Sequence, residues 1–414
     1  MRTLSPASWR TLALLAVAFF APASARGQDA EPADSTAESA DFLEGFRLYG
    51  SLRGQVVTYE KAVELLGNGS RVGFRLTRDF FDSGIQVFGQ FELGIQLIDN
   101  ARQFNVRANQ GGLGILEFGS KNDPVFTRLG FVGLDFGTYG ILTAGKQWST
   151  YYDVSGYTDN FFVFGGQASG TYPLGADGGG IGTGRADKAL TYRVQLGGLT
   201  FGAQTQLEAN RLTGLGSLGG SLQYGFPFGL TLGVAGHLGD VPEEIVGRVV
   251  GAETEETALV FGARLARPRL FLAATYSIQD AHDLRNVGQV DDLVTAVFDA
   301  KGLEAFGYYD ISRRFRVSGG VNWLDPDPIE PIHPEFRTRN YLIGGAFYFN
   351  SQSLIYAEWK IEDSVDQNGE AVPSVLSVGI RLDFGLPEMQ RNDAPPLRFP
   401  ESRQTTETEE TTAD

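Results

Sequence analysis

Polar and apolar residues alternate along most of this chain with a period of two. In "SVLSVGIRLDF" the apolar positions are Leu376, Val378, Ile380, Leu382 and Phe384, while Ser377, Gly379, Arg381 and Asp383 fall between them. "LIYAEWKIE" puts Ile355, Ala357, Trp359 and Ile361 on one face and Tyr356, Glu358, Lys360 and Glu362 on the other. "IQVFGQFELGIQL" sets Ile85, Val87, Phe91, Leu93, Ile95 and Leu97 against Gln86, Gln90, Glu92 and Gln96. "TFGAQTQLE" and "RVGFRLT" follow the same rule, with Arg71 and Arg75 on the polar side of the latter. A period of two is the signature of a β-strand with two unlike faces.

The separators organise these strands. Seven short turns, such as Asp82-Ser83-Gly84, Gly197-Gly198 and Arg267-Pro268-Arg269, alternate with eight longer polar connections, which predicts sixteen strands between Phe46 and Phe384. That is about 21 residues per strand and connection, enough for the ~9–11 residues that cross a bilayer. An even strand number with short turns on one rim and long loops on the other is the outer-membrane barrel pattern. Aromatics at strand ends (Phe226, Phe228, Tyr341, Phe347, Tyr348, Phe349 and Phe384) fit interfacial girdles, the alternative being core packing near turns. An inward face this rich in Gln, Glu and Arg suits only a water-filled lumen, because an enclosed core would strand polar groups without partners. The reading is all-β: a sixteen-stranded antiparallel transmembrane β-barrel.

Composition agrees and excludes other classes. The 414 residues include 54 Gly, 30 Phe and 15 Tyr but only 2 Met, as expected of β-structure. A net charge of −16 argues against a nucleic-acid partner. The absence of Cys removes disulfides, thiolate metal sites and thiol catalysis. At the N-terminus, Arg2 and Arg10, the apolar run Leu12 to Phe20 and Ala23-Ser24-Ala25 read as a secretory signal peptide over residues 1–25. Residues 26–45 read as a flexible acidic leader and 385–414 as a disordered Pro/Thr/Glu-rich tail flanking the barrel at 46–384.

The longest connection, about Ser149 to Gly184, holds "GYTDNFFVFGG" (156–166). A structureless connection this long is usually functional. Its aromatics Tyr157, Phe161, Phe162 and Phe164 can anchor it to the inside of the wall, so it is expected to fold inward and narrow the pore. "TRLGFVGLDFGTYGILTAGKQWSTYYDVSGYTDNFFVFGG" (127–166), "GRADKALTYR" (184–193) and "FRLYG" (46–50) resemble the general diffusion porin family of Gram-negative outer membranes, a likeness that extends over 46–384. The resemblance implies location in the cell outer membrane of a Gram-negative bacterium, a homotrimer in outer-membrane lipid, and passive diffusion of ions and small hydrophilic solutes. It also implies loop acids facing basic wall residues. By position, Asp159 matches the first loop acid, whereas the second falls on Val163. Arg71, Lys146 and Arg185 match three basic wall members; a fourth falls on Ser51, with Arg53 two residues on and on the same strand face. The basic side is thus retained and the acidic side thinned, with Asp153, Asp177 or Asp187 as candidate replacements. Each charge also has a plain reading as solvated wall, and Asp159 one as a cap of the loop.

Charges in a low-dielectric constriction bias which ions enter. Arg53, Arg71, Lys146 and Arg185 therefore favour an anion-preferring channel as the alternative. A sugar channel would need a lumenal line of aromatics, which inward parity does not reveal. A barrel-type enzyme is the remote alternative. His237, His282 and His333 stand in unrelated settings without metal-ligand or catalytic spacing, although His237 faces inward by parity. "GADGGGIGTG" (175–184) lacks the GK[ST] ending of a phosphate loop and reads as loop flexibility. No metal or cofactor is expected. The acidic stretches 240–257 and 325–336 could bind divalent cations, with solvated surface as the simpler reading.

Overall fold

The computed structural model describes residues 45–385, apart from 81–83, 99–102, 105–115, 118–123, 174–180, 208–214, 242 and 288–293. The expected signal peptide, the leader up to residue 44, the tail from residue 386 and Asp177 lie outside the described residues.

The chain enters the wall with β1 (Phe46–Tyr59), β2 (Ala62–Gly67), β3 (Ser70–Phe80) and β4 (Ile85–Ile95). A separate small ladder pairs β5 (Gln103–Phe104) with β6 (Leu116–Glu117). β7 (Val125–Asp135) and β8 (Ile141–Trp148) lead to the long loop and its one-turn helix α1 (Tyr152–Ser155). β9 (Arg185–Leu196), β10 (Leu199–Leu207), β11 (Leu215–Gly225) and β12 (Leu230–Asp240) follow. Then come α2 (Glu243–Val246), β13 (Glu255–Ala266), β14 (Leu270–Val287) and β15 (Val294–Asp310). β16 (Phe315–Asp327), β17 (Thr338–Tyr348), β18 (Ser353–Glu362) and β19 (Val375–Phe384) complete the wall.

Every wall strand pairs antiparallel with its neighbours, and β19 returns to β1 in the register Gly50↔Phe384 to Tyr59↔Val375, closing the barrel. β2 and β3 both lie against β1, over Gly54–Tyr59 and Phe46–Ser51 respectively. They act as one wall strand interrupted at Asn68-Gly69, so the seventeen strands of the sheet make sixteen wall positions. Closure pairs the first wall strand with the last, which is what a membrane demands of a β-sheet. The first loop-rim connection, expected to be long, is only Glu60-Lys61, because β1 and β2 stay paired up to Tyr59↔Ala62.

The faces are inverted relative to a soluble protein. On β19, Leu376, Val378, Ile380 and Leu382 are exposed, whereas Val375, Ser377 and Arg381 are buried. The apolar face therefore looks outward and the polar face into the lumen, the arrangement of membrane barrels. Phe228, Phe349, Phe384 and Tyr341 are exposed at strand ends as a girdle requires. Tyr348 differs: it has the opposite parity to Phe347, is buried, and packs over Arg316 inside the barrel.

Candidate functional site

The loop is closed at its neck, where the Ser149 N–H bonds to the Gly184 carbonyl (2.9 Å) and the Ser149 hydroxyl to that of Thr183 (2.6 Å). Between those points it folds inward and lies on the wall. α1 seats Tyr151, Val154 and Tyr157 against Ala235, Ala258, Val260, Phe271 and Phe306. The seat exists because the inward positions of β12 and β13 are small: a Cβ on Gly233 would come within 2.7 Å of the Tyr157 hydroxyl, and one on Gly262 within 2.7 Å of Val154. The Tyr157 hydroxyl donates to Gln223 Oε1 (2.5 Å). Further along, Phe161 meets Phe306 edge-on at 4.7 Å, Phe162 stacks on Tyr356 at 4.9 Å, and Val163 and Phe164 join a cluster with Val57, Leu342 and Val375. All four aromatics expected to anchor the loop do so.

Two wall carboxylates fix the loop backbone. Glu358 of β18 accepts the N–H groups of Phe162 (2.7 Å) and Val163 (2.8 Å). Glu304 of β15 accepts those of Ala168 and Ser169 (both 2.8 Å) and the Thr158 hydroxyl (2.5 Å). These bonds give the amides of Phe162, Val163, Ala168 and Ser169 partners on the wall, where an unpaired buried amide would be costly. The break between β2 and β3 serves the same end, since Asn68 Nδ2 donates to the Phe162 carbonyl at 3.1 Å.

Of the expected constriction residues, Arg71 and Arg185 come together around a residue the sequence reading passed over. Arg128 Nε lies 2.7 Å from Glu92, and Arg71 Nη1 reaches the same carboxylate at 3.9 Å. Arg185 is close enough to Arg128 for the two charges to repel, and its guanidinium lies over Trp148 at 5.5 Å. Arg53 is joined through Ser51 (2.7 Å) to Asp383, which Arg381 also holds. Lys146 stands apart. It pairs with Asp187 (2.8 Å) where β8 and β9 shift register. Its cross-strand partner is Gly130, whose open side faces Phe91 in the outward aromatic row with Phe46 and Phe74. Residues directly opposite one another share a sheet face, so Lys146 belongs to that outer row.

On the loop, Asp159 Oδ2 accepts the hydroxyls of Tyr152 (2.9 Å) and Tyr172 (2.8 Å). Burial, and then the Asp159 carboxylate, holds both phenols protonated well above their ordinary range. Asp153 is engaged too, by Arg193 (3.0 Å) and the Ser221 hydroxyl (2.9 Å). Burial pushes its carboxyl up although Arg193 opposes this. Arg128 was legible in "TRLGF" on β7, two strands ahead of the loop, and Glu358 in the polar face of "LIYAEWKIE"; what they touch was not. Inward aromatics also exist: Phe271 and Phe306 stand 6.0 Å apart, and Phe271 stacks on Tyr308 at 5.5 Å. This corrects the parity reading, but Phe271 and Phe306 are buried beneath the loop, where they hold it rather than line an open track.

A closed barrel with an apolar exterior, a polar lumen and a loop drawn across the inside defines the class: an outer-membrane diffusion pore. The sequence pattern of the Gram-negative porins matches residues 11–360, and the protein belongs to that family. Outer membrane porin PhoE of Enterobacter cloacae is 27% identical over 274 residues, 62% of this chain and 73% of its own. Outer membrane porin N of Escherichia coli K12 is 24% identical over 353 residues, 76% of this chain and 85% of its own. Among solved structures, Salmonella typhi OmpF in complex with daunomycin shares the fold with a TM-score of 0.66 at 20% identity, covering 82% of this chain and 97% of that one. The protein is an outer-membrane porin for passive diffusion of ions and small hydrophilic solutes.

Proposed function

We propose that this porin prefers anions and that the preference arises at the wall opposite the in-folded loop. Arg71, Arg128 and Arg185, with Arg53 beside them on β1, supply the positive side. The observation that carries the reading is the asymmetry of engagement: Arg71 and Arg128 both reach the single carboxylate of Glu92, whereas Asp159 serves two tyrosines within its own loop. Val163 supplies no second loop acid, and the acids nearest the loop, Glu304 and Glu358, face its backbone amides. A lumen arranged in this way attracts anions and repels cations at its narrowest part. Lys146 adds little to that field because it belongs to the outer row of the wall, where it pairs with Asp187.

The functional form in this reading is a homotrimer in outer-membrane lipid that carries solutes without chemical conversion. Reversal potentials across a planar bilayer under a salt gradient test the selectivity. Stepwise insertion in threes with a reversal potential on the anion side is expected; a cation-side value overturns the assignment.

A further inference from the structure

Two histidines that are 45 positions apart in the chain meet under the return limb of the loop. His237 lies three residues from the end of β12, Glu256 is the second residue of β13, and His282 lies within the register shift of β14, between Gln279 and Asp283. The imidazole centroids are 6.0 Å apart with Glu256 between them: Oε2 is 3.2 Å from His282 Nδ1, and Oε1 is 3.7 Å from His237 Nε2. All three side chains are buried. The other ring nitrogen of His282 meets the Gly170 carbonyl at 2.8 Å.

These contacts constrain the protons. A carbonyl and a carboxylate both accept, so both ring nitrogens of His282 must donate, unless Glu256 itself carries the proton. Either way, one proton more than a neutral imidazole beside a carboxylate is held at this contact. The loop is fitted tightly there. A Cβ on Gly170, whose φ is +70°, would come within 2.8 Å of the Gln279 side chain. One on Gly182, at φ +98°, would come within 2.3 Å of Gln206 and 3.1 Å of the His237 ring.

We propose that His237, Glu256 and His282 form a proton-controlled clamp on the loop, closed while the His282–Glu256 contact holds its extra proton. Loss of that proton to lumenal water leaves His282 with one N–H for two acceptors. One bond is then replaced by facing lone pairs, and the limb at Gly170 loosens. Acid acts in the opposite sense: a proton gained by His237 places a cation next to Glu256 and leaves the clamp closed. The surrounding charges do not duplicate the switch. Asp283, next to His282, is engaged by Arg285; Asp299 of β15 accepts the Ala281 N–H (2.7 Å); β10 contributes the uncharged Gln206.

The test is single-channel recording with pH on the loop side stepped from about 5 to about 9, the range in which histidine changes charge. In the unmodified trimer, loop-dependent gating events are expected to rise about tenfold toward the alkaline end, the factor for losing one charge-assisted hydrogen bond. Glu256→Gln lets a neutral His282 satisfy both contacts, accepting from the amide and donating to Gly170. His282→Gln offers two amide hydrogens that do not titrate. Both variants are expected to conduct with a flat pH response. A flat response in the unmodified trimer, or an unchanged response in either conducting variant, overturns the clamp. Conductance near pH 6 reports the channel itself and is independent of this outcome. If neither variant inserts, hydrogen exchange of residues 168–172 in the unmodified trimer decides, and absence of alkaline acceleration beyond the intrinsic rate overturns the proposal.

Discussion

Val163 stands where the family resemblance places a loop carboxylate, and its backbone N–H is bonded at 2.8 Å to a carboxylate of the wall, Glu358. The carboxyl group at this point of the lumen therefore comes from the barrel, and it holds the loop in place rather than opposing the arginines. Loop position and lumenal charge are coupled through this one side chain.

Replacing Glu358 with alanine removes the acceptor for Phe162 and Val163 and leaves buried amides unsatisfied, at a cost of about 1–3 kcal/mol. The barrel is expected to stay folded, since the change lies inside the lumen and the strand ladder is untouched. Single-channel noise and mean conductance should both rise. Glu358→Gln, which keeps one acceptor, should fall between; quiet currents of unmodified size from the alanine variant would show that the loop does not depend on this contact.

Asp159 admits a separation of structural and electrostatic roles. Asp159→Asn keeps a carbonyl oxygen for the two tyrosine hydroxyls, whereas Asp159→Ala strands both, at about 1–3 kcal/mol each. The alanine form should lower the temperature at which the trimer dissociates on a gel, and the asparagine form should not. Because both phenols are held above their ordinary value, the anchor is fully present below about pH 10 and is lost only as pH rises beyond that. A thermal transition of the unmodified trimer that fell between pH 7 and 9 through this site would contradict the assignment.

Arg71→Gln combined with Arg128→Gln removes both guanidinium groups that reach Glu92 and leaves the carboxylate behind. The anion-to-cation permeability ratio should fall by about twofold or more, with conductance retained. Lys146→Gln should leave selectivity nearly unchanged, as Lys146 belongs to the outer row of the wall, away from the arginines. Equal effects of the two changes in reversal-potential measurements would remove the distinction drawn between them.

Gly302 offers a steric probe. An added Cβ would lie 1.7 Å from the Ala168 carbonyl oxygen, an overlap that backbone must relieve by moving. Gly302→Ala should therefore push the loop off Glu304, whose bonds to Ala168 and Ser169 lie alongside, and raise conductance without loss of barrel content in circular dichroism.

The wall was legible because a strand has period two, and the environment on each side of a membrane barrel differs sharply. Leu376, Val378, Ile380, Leu382 and Phe384 face outward as read from the chain, and the antiparallel ladder converts that alternation directly into two surfaces. The loop was legible from its length and aromatics. Tyr348 shows the limit of the same rule, since a strand-end aromatic joins the girdle only if its parity turns it outward.

The sequence by itself determined the sixteen strands, which face is wet, and the loop that would narrow the lumen, since all three follow from local periodicity and connection length. Only the tertiary structure decided which charges meet. Arg128 joins Arg71, Glu358 reaches Val163 from 195 positions away, and His237 finds His282 through Glu256. Such pairings depend on barrel closure and strand register, which bring distant positions to one level of the wall, and no local pattern carries that information.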